Sequence, residues 1–123
     1  MTTSSALLLI EFQNEWLHPE GKLHGLARPG MLEDAAARAS EALAAARAAA
    51  MPVIHAGLAF SRGYPELGKA QRGLRAAIPR AGTFAATSMG SAFAEGFVPR
   101  DDELVVRGRV GASAFSGSNL DIC

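Results

Sequence analysis

The sequence predicts an α/β domain built on a parallel sheet, and three observations carry that expectation. Ala6 to Ile10 is a continuous apolar run, the pattern of a strand covered on both faces. Met31 to Ala50 is dominated by alanine and leucine, with apolar residues recurring every three or four positions, as in an amphipathic helix. Val53-Ile54-His55-Ala56 resumes a strand pattern directly after Met51-Pro52. A strand, a helix of about twenty residues and a second strand form a βαβ unit, whose strands run parallel.

Each element has a local reason. The first strand runs straight into Glu11, Phe12, Gln13, Asn14, Glu15 and Trp16, so an apolar run ends by presenting a carboxylate. His18-Pro19-Glu20-Gly21 reads as a turn and Pro29-Gly30 as a second break. In the long helix Glu33 and Asp34 fall in the first turn and Arg47 near the end, an order that suits the helix dipole. Leu32, Ala36, Ala39, Leu43 and Ala46 make one apolar stripe, and the small alanines suit close approach to a sheet.

Residues 61 to 100 are punctuated by glycines at 63, 68, 73, 82, 90 and 96 and prolines at 65, 79 and 99. A weak helix is expected over Lys69 to Ile78. The remainder reads as a long surface excursion, a kind of loop that often carries function. Pro99-Arg100-Asp101-Asp102 forms a turn before a third strand, Glu103 to Val106, and Gly108 to Gly117 is loop. Ser118 or Asn119 caps a helix that begins as the sequence ends at Cys123. With no internal repeat and no linker, residues 1–123 read as one domain.

Bulk properties exclude several classes. Twelve Lys and Arg balance twelve Asp and Glu, which gives no electrostatic case for nucleic acid or an anionic membrane. A content of 49% hydrophobic and 20% charged residues describes an ordinary soluble protein. The single cysteine, Cys123, makes no internal disulfide, and a reducing, cytoplasmic setting is the expectation. The N-terminus lacks a basic n-region, and no apolar stretch is long enough to span a bilayer. No glycine follows the first strand, so neither a dinucleotide fingerprint nor a phosphate-binding loop is present. His18, His24 and His55 are scattered, so neither a metal nor another cofactor is expected.

In an open parallel sheet, ligands bind outside the carboxyl ends of the strands. Three strand ends meet there: Glu11 after the first, His55 in the second, Arg107 and Arg109 after the third. Taken singly, Glu11 could be a solvated strand end, His55 a core histidine, and the arginines surface charges. Their convergence makes a candidate site.

The order of segments resembles the isochorismatase-like cysteine hydrolases. LLLIEFQNEWLHPEGKL is similar to that superfamily's first strand, PVIHAGLAFSRGYPE to its second strand and loop, GTFAATSMGSAF to a Gly-rich segment, and DELVVRGRVGASAFSGSNLD to its third strand and the Ser-Ala-Phe segment beyond. The resemblance implies a three-layer, Rossmann-like fold of which this chain carries the first three parallel strands in order 3-2-1. It implies a hydrolase of a small amide, ureide or enol ether, using an Asp, a Lys and a nucleophilic Cys. Those roles fall on Glu11 for the Asp and Arg107 for the Lys, with Gly111 to Ser113 as additional residues before Phe115. Gln13, Trp16, His55, Phe60, Arg109 and Phe115 are the implied substrate contacts.

Both charged positions are substituted. Glu11 is one methylene longer than Asp, and Arg107 is a flat, permanently charged fork instead of an ammonium. The superfamily's nucleophile lies past a further helix and a fourth strand, so Cys123 reads as incidental. The expectation is a hydrolase domain lacking its C-terminal third, with little or no cysteine-dependent activity. The alternatives are a non-catalytic binding module or an inert fragment. An apolar strand with an open edge invites pairing, so a homo-oligomer is expected.

Overall fold

In the computed structural model, which describes residues 4–115 and 117–120, Leu7–Ile10 (β1), Val53–Ala56 (β2) and Leu104–Val106 (β3) form one parallel sheet in the order β1-β2-β3. This is the predicted fold class and strand order. The register sets Leu9 beside His55 and His55 beside Val105. Because side chains alternate along a strand, Leu9, Val53 and His55 share one face, and Leu8, Ile54, Ala56 and Val106 share the other.

The long helix, Met31–Ala48, covers the first face. It is preceded by a one-turn helix, Asn14–Leu17 (α1), so the long helix is α2. The predicted stripe faces inward: Leu43 and Ala46 are buried against Leu9, Val53, Ala94 and Phe97, with Ala36 and Ala39 alongside. On the other face Ala56 and Val106 pack against Ala114 and Leu120. A third cluster, Leu58, Phe60, Leu67, Ile78 and Phe84, lies beyond the carboxyl ends of the strands. The chain past the sheet therefore has a core of its own. Among the described residues, no helix is long and apolar enough to cross a membrane.

Two elements differ from expectation. The weak helix forms over Leu74–Ala81 (α3), not Lys69 to Ile78. Gly68 and Gly73 both take positive φ, which ends any earlier helical run. The helix then continues through Pro79, where the ring forfeits one backbone hydrogen bond, and closes at Gly82, whose N–H reaches Ile78 O at 2.9 Å. The third strand starts at Leu104. Glu103 instead closes a turn, its N–H bonded to Arg100 O at 3.0 Å. The predicted cap at Ser118 is present, with Oγ accepting the Leu120 N–H at 3.2 Å. The remainder of that expected helix, with Asp121 and Cys123, lies outside the described residues.

Glu103 closes the amino-terminal side of the sheet. It accepts two 2.8 Å hydrogen bonds from Arg47 of α2, one of 2.9 Å from His55 Nε2 and one of 3.0 Å from the Arg100 N–H. This carboxylate ties helix, central strand and incoming loop together, and is only 6% exposed. The Arg47 hydrogen bonds, with those from Arg100 and His55 behind them, outweigh burial and hold its pKa well below the ordinary 4.5. A carboxylate depressed in the folded state contributes stability that is fully present above its unfolded pKa and is lost as pH falls toward the folded one. Urea melts should show stability flat near neutrality and falling below pH of about 4.5. Glu103→Gln should cost about 3 kcal/mol at pH 7 by leaving Arg47 unpaired and should flatten that acid limb. An unchanged acid limb would show that Glu103 is not its source.

Candidate functional site

The carboxyl edge is organised by two buried polar side chains on the segment after β1. Gln13, 1% exposed, donates through Nε2 to Leu58 O at 2.8 Å and Ser91 O at 2.7 Å, and accepts the Leu58 N–H at 3.0 Å. It joins the ends of β1 and β2 to the loop around residue 91. Glu15, 2% exposed, accepts the Phe84 N–H at 2.7 Å and the Lys22 N–H at 3.1 Å. Together they satisfy backbone donors and acceptors that no ladder reaches. The glycines beside them have no room for more. A Cβ on Gly57 would lie 2.9 Å from the Gln13 amide, and one on Gly90 would lie 2.3 Å from the Glu15 carboxyl.

Glu11 sits where β1 ends, its N–H bonded to Ala56 O at 2.8 Å. Its φ of +63° is left-handed, a conformation that costs a non-glycine residue about 1–2 kcal/mol. Its Oε2 lies 3.6 Å from Arg109 Nη2. Arg109 is held from below by its own loop, donating through Nη2 to Ala112 O at 2.9 Å and through Nε to Ser113 O at 3.3 Å. Its side chain is 1% exposed.

The cation set against the acid is thus Arg109, whereas the resemblance implies Arg107 for the charged partner. After β3 the chain turns at Gly108, at φ +83°, where a Cβ would meet Gly117 O at 2.6 Å. That close approach leaves Arg107 exposed, its backbone N–H on Asn119 Oδ1 at 3.1 Å, and brings Arg109 under the loop.

Two cavities flank this pair. One, of about 450 Å³, is an apolar groove whose walls include Ile10, Trp16, Leu74, Ile78 and Phe84, with Glu11 and Arg109 on its edge. The other, of about 260 Å³, lies at the ends of β2 and β3, and Arg107 and Arg109 line it. Of the predicted contacts, Trp16 lines the groove, and Gln13 lines the smaller cavity with its amide already committed. Arg109 lines both, and His55, Phe60 and Phe115 line neither. His55 is fully buried and bonded to Glu103. Phe60 is core, and Phe115 is 60% exposed on the outer surface. Among the described residues, no group of three His, Cys, Asp or Glu is placed to hold a metal ion.

Glu15 and Ser91 went unselected by the sequence reading. A carboxylate on a short helix turn gives no sign of burial, and a serine whose role is a backbone carbonyl has no motif.

The family model for the isochorismatase domain matches residues 5–123. The fold is similar to that of an isochorismatase family protein from Desulfovibrio vulgaris, at 24% identity and a TM-score of 0.75, over 98% of this chain and 60% of that one. It is similar to N-carbamoylsarcosine amidase from Thermoplasma acidophilum, at 21% identity and a TM-score of 0.70, again over 98% and 60%. A cysteine hydrolase from Pseudomonas syringae matches at 22% identity and a TM-score of 0.71, over 95% of this chain and 51% of that one. The chain therefore spans between half and three fifths of these structures. No curated protein matches the sequence.

The packing at Gly90 gives a direct check on the Glu15 anchor. Gly90→Ala should destabilise the chain by at least about 2 kcal/mol, since the added carbon meets a buried carboxyl group rather than space. Gly25→Ala, where nothing lies within 4 Å, should change stability by less than about 0.5 kcal/mol in either direction. Equal midpoints for the two variants in urea unfolding would refute the anchoring role.

Proposed function

The chain belongs to the isochorismatase domain family, and from that premise we propose that its carboxyl edge binds a small amide, ureide or enol ether for hydrolysis. We propose further that these 123 residues alone perform little or no cysteine-dependent turnover. The observation that carries the reading is the Glu11–Arg109 pair, at 3.6 Å, on the edge of the apolar groove. A carboxylate accepts an N–H, and a guanidinium donates to a carbonyl or ether oxygen. An amide or ureide lying across the pair would meet both, with its apolar part against Trp16, Ile78 and Phe84.

The chemistry follows from the two groups. In this reading Glu11 is the group that handles the proton. Arg109 stays protonated throughout, so it supplies charge and hydrogen bonds to a developing oxyanion, not a proton. A covalent route needs a thiolate. The only cysteine in the sequence is Cys123, which the family resemblance leaves without a role.

Trp16 is the single tryptophan and lines the groove, so its fluorescence reports occupancy. Titration with nicotinamide and with an N-carbamoyl amino acid should give a saturable change, weakened about tenfold in Glu11→Ala by loss of a charge-assisted hydrogen bond. Ammonia release should not exceed that of Cys123→Ser. The binding part fails if neither compound perturbs Trp16. The inactivity part fails if the chain turns either compound over and Glu11→Ala abolishes that rate.

A second reading, a non-catalytic module that completes its sheet with a second copy, is favoured by the free edge of β1. Among the described residues that strand pairs on one side only, and Ile10 at its end is 42% exposed. An unpaired apolar edge is a template for another strand. Sedimentation velocity should then show a monodisperse dimer that Ile10→Lys dissociates. A monodisperse monomer counts against it.

A further inference from the structure

We propose that the smaller cavity, at the carboxyl ends of β2 and β3, is a binding site for a small carboxylate with a short apolar or aromatic body. The inference shares Arg109 with the hydrolytic reading of the groove but uses neither the Glu11 carboxylate nor the Trp16 face.

The first ground is an unspent donor. Arg109 Nε and Nη2 are bonded to loop carbonyls, and Nη2 also faces Glu11. Nη1 is buried and has no hydrogen-bond partner among the described residues. A buried polar atom left unpaired costs free energy, and the cost is larger on a charged group. An acceptor oxygen on a ligand would remove that cost.

The second ground is charge. Arg107 and Arg109 both line this cavity, and among the described residues no carboxylate lines it. Glu11 lines the groove but not this cavity. Arg107 makes no ion pair among the described residues, and its exposure leaves its guanidinium free to swing over the mouth. Two guanidiniums with no lining acid match an anion, and their planar forks suit a carboxylate.

The third ground is the remainder of the wall. Leu58, Phe93, Val105 and Val106 are apolar, and the one side-chain amide there, on Gln13, has both Nε2 hydrogens committed. A strongly hydrated inorganic anion would gain nothing from those surfaces, whereas a short hydrocarbon or ring would bury against them. The volume of about 260 Å³ limits the ligand to a compact one.

The test is an NMR titration of the full 123-residue chain with benzoate, neutral benzamide and inorganic phosphate. Benzoate should shift the amides of Gly57 and Gly108 saturably and bind at least about tenfold more tightly than benzamide or phosphate. Arg107→Gln should weaken benzoate at least about fivefold while leaving the spectrum folded, since that side chain is exposed. Arg109→Lys, which keeps the charge but loses the fork, should weaken it as well. Benzamide or phosphate binding as tightly as benzoate overturns the ligand class. Unchanged affinity in Arg107→Gln, or shifts confined to Trp16 and Ile78, overturns the site. Trp16 fluorescence with nicotinamide is read separately, so failure of the groove and failure of this cavity are distinguishable.

Discussion

The carboxyl edge depends on a requirement that buried backbone be hydrogen-bonded. Beyond the three short strands, most of the chain that encloses the site is irregular, and irregular backbone brings no ladder with it. Gln13 and Glu15 supply the missing partners. Three hydrogen bonds to Gln13 bind residue 58 and residue 91 to the end of β1. Glu15 holds the Phe84 and Lys22 amides. Because these partners lie up to 78 residues away in sequence, a loss of either side chain would free several segments at once. Gly57 and Gly90 are glycines for the same reason: the side chains they would carry are displaced by the anchors.

That scaffold explains how a strained residue persists at the site. Glu11 takes a left-handed conformation at the strand end, a cost of about 1–3 kcal/mol that surrounding structure must offset. Its N–H is tied to Ala56 O, and two residues on Gln13 is buried. The chain between two fixed points has little choice of path. The ion pair with Arg109 is not what holds the turn, since at 3.6 Å it is longer than a charge-assisted hydrogen bond. Backbone and amide contacts set the geometry, and the pair is displayed on it.

Much of this was legible in the sequence. Apolar continuity marked β1 and β2, periodic alanines and leucines marked α2, and turn residues marked the breaks, because each reflects a local preference. Strand polarity alone put Glu11, His55, Arg107 and Arg109 together at the strand ends, without singling out Arg109 as the partner of Glu11. What sequence did not disclose depended on distant partners. His55 reads as a strand-end imidazole, but its Nε2 is held by Glu103, 48 residues on. Arg107 and Arg109 are indistinguishable by composition; only the approach of Gly108 to Gly117 decides which one turns inward. Phe60 reads as a ligand contact and is core because Phe84 and Leu58 close over it.

Arginine at position 109 has a consequence that lysine would not. An ammonium has three donors on one atom, and anchoring it to two loop carbonyls would leave one hydrogen for everything else. The guanidinium spreads five donors over three nitrogens in a fixed plane. Nε and Nη2 secure the 112–113 loop, and Nη2 faces Glu11. Nη1 has no hydrogen-bond partner among the described residues. One side chain can therefore be a structural anchor and a ligand donor together, and it lines both cavities. The permanent charge of a guanidinium, not its shape, is why an arginine offers a ligand fixed charge and directional hydrogen bonds instead of a proton.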